Sequence, residues 1–201
     1  AGVDGTRPRD HRCPWRLKDF LAGPAPGQGR HLAGADQRAA GRIAIERIQP
    51  VVEDGEVISS SLIRRLIMDG KIQTANRMLG YFFTITGQVV AGEQRGRRLG
   101  FPTANINVNP EYLIPAYGVY LAEFMVDGQI YHGVANVGVK PTFGTYSPLI
   151  EVHLFDIDMD LYYKTVEVSF LEFIRPELRF RDAGELTKQI QNDVQTAKNM
   201  L

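Results

Sequence analysis

Between residues 81 and 174 the apolar positions come in short runs rich in aromatic and β-branched side chains, broken by turn residues. Residues 81–91, 119–126, 129–137, 150–156 and 165–174 each read as a strand, and the stretch after Pro102 reads as another. Asp127-Gly128 separates two of these runs and is a two-residue hairpin signal. Strands with turn signals between them predict an antiparallel barrel or sandwich, so the fold class is mainly β. Helical spacing flanks this region. Ser59, Ser60 and Ser61 precede Leu62, Ile63, Leu66 and Ile67, a serine N-cap followed by an apolar stripe that ends near Asp69-Gly70. Residues 72–79 read as a second short helix. Asp182 and Glu185 make a capping-box-like start to a last helix, with Leu186, Ile190, Val194, Ala197 and Leu201 on one side. That stripe should pack on the barrel.

The residues with the most chemical content form the stretch Gly92-Glu93-Gln94-Arg95-Gly96-Arg97-Arg98-Leu99-Gly100-Phe101-Pro102-Thr103-Ala104-Asn105. Glycines at four-residue spacing let a backbone approach an anion closely. Arginines lie among them, and Pro102 pushes Phe101 toward an extended conformation. In the strand that follows, Thr103 and Asn105 point to one side. A hydroxyl and an amide carbonyl beside a basic loop suit a hard cation and the phosphates it bridges. No Gly-Lys-Ser/Thr follows, so this is not a Walker A loop. On spacing alone, a polar hairpin loop running into a strand accounts for it as well.

The sequence Gly96-Arg97-Arg98-Leu99-Gly100-Phe101-Pro102-Thr103-Ala104-Asn105 resembles the nucleotide-binding segment of riboflavin kinases. Gly133-Val134-Ala135-Asn136-Val137-Gly138 with Lys140-Pro141-Thr142-Phe143 is similar to the next family block. Glu151-Val152-His153-Leu154-Phe155-Asp156 resembles the strand that carries the family's catalytic glutamate. Arg175-Pro176-Glu177, with Phe180 beyond, resembles the segment before the family's C-terminal helix. The four blocks come in family order across residues 81–201. The resemblance implies a six-stranded antiparallel Greek-key barrel with a C-terminal helix. It implies transfer of the ATP γ-phosphate to the 5′-hydroxyl of riboflavin, giving FMN. Gly92, Gly96, Arg97, Gly100, Phe101 and Pro102 would then line the nucleotide, and Thr103 with Asn105 would hold Mg²⁺ or Zn²⁺. Glu151 would be the base. On the strand pattern alone it belongs to a solvated outward face, and His153, two residues on, reads as structural. Arg175, Glu177 and Phe180 are the candidates for the flavin slot; an ordinary helix-entry turn is the competing reading for each.

Ile58-Ser59-Ser60-Ser61 with Arg64 resembles the last motif of the FMN adenylyltransferase module, which precedes the kinase in bacterial bifunctional FAD synthetases. Ser59, Ser60 and Arg64 would there bind a triphosphate at a helix N-terminus. The His-x-Gly-His motif of that module is missing: the histidines are His11, His31, His132 and His153. Residues 51–80 are therefore expected to be a remnant of an α/β nucleotidyltransferase domain, with FAD synthesis lost and an apolar helix stripe left without its sheet. A non-catalytic flavin- or nucleotide-binding barrel, and a part of a complete bifunctional enzyme, are the alternatives.

Residues 1–50 differ from the rest. They hold eight of the 17 arginines, one of the six lysines, and only Trp15 and Phe20 as aromatics. Neither period is sustained in them until about Arg38, so they are unassigned or disordered. Across the chain, Lys+Arg and Asp+Glu are equal at 23 each. A neutral balance gives no support for nucleic acid or an anionic membrane as partner. No apolar run approaches the ~20 residues that span a bilayer. The single cysteine, Cys13, fits a reducing compartment. The expectation is a cytoplasmic enzyme acting on small molecules.

Overall fold

The computed structural model describes residues 48–92, 95–109, 111–142, 145–157 and 159–201. The expectation for residues 1–50 falls almost wholly outside them, as do Glu93, Gln94 and Phe143. Two compact units are present, Ala1–Ile58 and Ser59–Leu201. The described part of the first is a small hairpin of β1 (Val52–Glu53) and β2 (Glu56–Val57), paired antiparallel. Asp54 and Gly55 both take positive φ at its tip, as a turn matched to strand twist requires.

The second unit opens with α1 (Ser60–Met68) and α2 (Ile72–Leu79). Ser59 is the N-cap of α1, its hydroxyl accepting from Leu62 N at 3.2 Å. Gly70 and Gly80 follow the two helices in left-handed conformations open to glycine. Leu62, Leu66, Ile67, Ile72 and Ala75 are buried in the same core as the barrel. The stripe expected to lack a partner therefore has one, and the barrel supplies it. Asn76, on the buried side of α2, donates to the Phe170 carbonyl and accepts from Phe83 N, both at 2.8 Å.

The barrel strands are β3 (Phe83–Val90), β4 (Ala104–Val108), β5 (Gly118–Val126), β6 (Gln129–Thr142), β7 (Thr145–Leu154) and β8 (Thr165–Pro176). They close in the order β3-β4-β7-β6-β5-β8, all neighbours antiparallel. Asp127 and Gly128 turn β5 into β6 with positive φ at both, as the sequence predicts. Alternation sends Ala104, Ile106, Tyr120, Phe124, Ile150, Val152 and Phe170 into a packed interior. Burial pushes the Tyr120 phenol well above the ordinary tyrosine range, and its hydroxyl donates to the Ala116 carbonyl at 2.5 Å.

A short turn, α3 (Arg95–Arg98), lies between β3 and β4, and α4 (Ala183–Met200) closes the chain. Asp182 caps α4 by accepting from Gly184 N and Glu185 N, and Glu185 accepts in return from Arg181 N. Helix α4 covers the outer face of β5, β6 and β8 through a second apolar cluster containing Val119, Leu121, Val134 and Ala197. The stripe stops there, since Leu201 is exposed at the helix end. Among the described residues, no helix is long and apolar enough to cross a membrane.

Candidate active site

The barrel interior is filled by side chains, so a site must lie outside it. A cleft of about 480 Å³ opens on the outer face, between β4, β7 and β6, the 96–103 loop, and α4 with the segment preceding it. Of the residues singled out in the sequence, Gly96, Phe101, Thr103, Asn105, Glu151, Arg175, Glu177 and Phe180 line it. They come from three separate stretches of the chain, 96–105, Glu151 of β7 and 175–180. Strand register brings the polar ones level: Asn105 of β4 pairs with Glu151 of β7, which pairs with Asn136 of β6. Because Ile150 and Val152 are buried inward, Glu151 and His153 face outward into the cleft.

The glycine segment is more ordered than a flexible loop. The Gly96 carbonyl accepts from Leu99 N at 3.0 Å and from Phe101 N at 2.9 Å, and the Arg97 carbonyl accepts from Gly100 N at 3.2 Å. The amides of Leu99, Gly100 and Phe101 are thus engaged within the turn. Gly100 takes φ +87°, and a Cβ at Gly96 would overlap the Phe101 carbonyl. A Cβ at Gly92 would overlap the Asn105 amide, so that glycine lets the chain just after β3 run close to a cleft residue. His153 Nδ1 donates to the Pro102 carbonyl at 2.9 Å, and its ring meets Phe101 edge-on with centroids 5.3 Å apart. This residue fastens the loop to β7.

Arg97 and Pro102 do not line this cleft. They belong to a neighbouring one of about 430 Å³, with Val89, Val152, Leu154, Met159 and Tyr162. Thr103 lines both. Ser59, Ser60 and Arg64 line neither; the Ser59 hydroxyl is engaged in capping α1. Glu177 lies against Gly138, where a Cβ would overlap its carboxylate. Arg175 forms a two-pronged ion pair with Asp193 of α4, Nε to Oδ1 at 2.8 Å and Nη2 to Oδ2 at 2.7 Å.

The arrangement sets a carboxylate beside two neutral oxygen donors at the junction of two clefts. No cluster of three or more His, Cys, Asp or Glu able to hold a metal occurs among the described residues. Thr103 and Asn105 offer two neutral side-chain oxygens, the donor type that suits a hard cation. His153, Asn136 and Asp193 were not among the sequence candidates. Asp193 left a signal: it sits between Ile190 and Ala197 on the apolar side of α4, where a carboxylate needs a partner.

The flavokinase (riboflavin kinase) family model matches residues 79–201. The bifunctional riboflavin kinase/FMN adenylyltransferase of Listeria monocytogenes is 38% identical over 173 residues, 86% of this chain and 55% of that protein. Its counterpart in Bacillus subtilis is 39% identical over 160 residues, 78% of this chain and 51% of that protein. A solved structure described as a macrolide-efflux protein from Streptococcus pneumoniae superposes with a TM-score of 0.72 at 36% identity, covering 76% of this chain and 50% of that one. The chain spans about half the length of the curated relatives it matches. With well over half of its residues matched, and with the matched segments converging on one cleft, the chain belongs to the riboflavin kinase family.

Proposed function

We propose that this chain transfers the γ-phosphate of ATP to the 5′-hydroxyl of riboflavin, giving FMN and ADP. The observation that carries the reading is the meeting of two clefts at Thr103, with Glu151 in register with Asn105 on one side. Riboflavin occupies the cleft under α4, its ring among Leu178, Phe180, Leu186 and Ile190. ATP occupies the second cleft, with its phosphates directed toward Thr103 and Arg97.

Phosphoryl transfer needs positioning and charge neutralisation more than covalent chemistry. Glu151 orients the ribityl hydroxyl and accepts its proton as the oxygen attacks the γ-phosphorus. The new bond joins that oxygen to phosphorus, and the bond to the β,γ-bridging oxygen breaks. Thr103 and Asn105 would hold Mg²⁺, which would supply charge neutralisation for the phosphates. Zn²⁺ is the alternative at the same oxygens.

The alignment with the Listeria relative is longer than the family match, so at least 50 of its 173 residues precede Leu79. This supports reading residues 51–80 as related to the adenylyltransferase part of that protein, with Ser59, Ser60 and Arg64 as its motif. The residues that meet at the two clefts carry the kinase step, and FMN is the product proposed for it. ATP labelled in the γ-phosphate tests the reading. Label on FMN supports it, and label released only as inorganic phosphate contradicts it.

A further inference from the structure

Arg175 has five N–H donors, and the structure commits three of its atoms to protein. Nε and Nη2 bind the Asp193 carboxylate, and Nη1 donates to the Pro176 carbonyl at 2.9 Å. The guanidinium also lies 5.9 Å from the centre of the Phe180 ring. Asp193 is only 4% exposed and accepts further from Gln189 Nε2 at 2.8 Å. One side chain therefore ties together the end of β8, the 176–182 strap and α4. The β8 ladder is irregular here: its register against β5 shifts between Val119 and Tyr120, so that Arg175 pairs with outward-facing Val119. The bulge aims Arg175 at the helix.

We infer that Arg175 and Asp193 form a positioning clasp that sets the width of the flavin slot, rather than a direct contact to the flavin. The inference rests on the proposed function and deepens it. The apolar side of the slot is Leu178 and Phe180 from the strap with Leu186 and Ile190 from α4. All four hang from segments that the clasp holds against the barrel. Neither Arg175 nor Asp193 lines the second cleft. The clasp thus acts on the acceptor side alone.

A buried ion pair adds little net stability over apolar residues of similar volume, but breaking one partner is costly. This separates positioning from mere stability. The double variant R175M/D193L in the full chain is expected to keep the parent's thermal midpoint. Its KM for riboflavin should rise about ten- to a hundredfold, as for a misplaced binding wall, with KM for ATP unchanged. An unchanged riboflavin KM, or an equal rise for both substrates, overturns the clasp. Should the double variant fail to fold, Asp193→Asn, which keeps the shape and removes the charge, decides by the same split. A parent chain that makes no FMN overturns the proposed function instead. Riboflavin fluorescence quenching then reads the clasp alone, and equal affinity in parent and variant overturns it.

Discussion

Glu151 of β7 stands directly across the ladder from Asn105 of β4, and its other ladder neighbour is Asn136 of β6. A carboxylate between two amides, flanked in its strand by buried Ile150 and Val152, is held by backbone register and not by a loop. Replacing Glu151 with Gln keeps the shape and removes the base. Turnover should fall about 10²–10⁴-fold, the usual contribution of a general base. Riboflavin and ATP binding and the thermal midpoint should stay near those of the parent. Equal turnover by the variant would remove Glu151 from the mechanism.

Thr103 is the residue common to both clefts. Thr103→Val preserves volume and deletes the hydroxyl. The apparent Mg²⁺ affinity in the turnover assay should fall about 10- to 100-fold, at least the loss seen when a ligand's outer partner is removed. Raising Mg²⁺ should recover part of the rate. A Mg²⁺ titration that superposes on the parent's would assign the cation elsewhere.

His153 contributes to the site through Phe101 and Pro102. His153→Phe keeps an aromatic edge against Phe101 and loses the hydrogen bond to the Pro102 carbonyl. One such bond is worth about 0.5–1.5 kcal/mol, so KM for ATP should rise about two- to tenfold. Steady-state kinetics with ATP varied would show it. A fall in kcat with KM unchanged would instead give His153 a part in the chemistry.

The local elements were legible because local chemistry specifies them. Ser59 ahead of Leu62 and Gly70 behind Met68 bound α1, and Asp127-Gly128 fixes one hairpin. The core face of β7 follows from alternation around Glu151. What depends on distant partners was not legible. The pairings of β3 with β8 and β4 with β7 close the barrel, and no short-range pattern encodes them. The helix stripe at residues 62–67 read as abandoned because the sequence does not say which sheet receives it. The closed turn that engages the amides of Leu99, Gly100 and Phe101 was not legible, because a three-glycine spacing does not reveal it. The ion pair of Arg175 was not legible because its partner, Asp193, lies 18 residues away inside an apolar stripe.

Asn76 tests how firmly α2 belongs to the barrel. Its amide satisfies both Phe83 N and the Phe170 carbonyl while only 8% exposed. Asn76→Leu leaves two backbone groups without this partner, at about 1–3 kcal/mol each. Denaturant unfolding should show a loss of about 3 kcal/mol on that scale. Activity of the folded fraction should be retained, since Asn76 lines neither cleft. A variant as stable as the parent would mean that α2 is not anchored through this residue.

This chain is expected to phosphorylate riboflavin, with FMN as the product. Incubation of the full chain with riboflavin, ATP and Mg²⁺, with the flavins separated by chromatography over time, addresses it directly. Riboflavin is expected to decline while FMN and ADP accumulate in equal amounts. Persistence of riboflavin unchanged in the presence of a folded chain would contradict the kinase assignment.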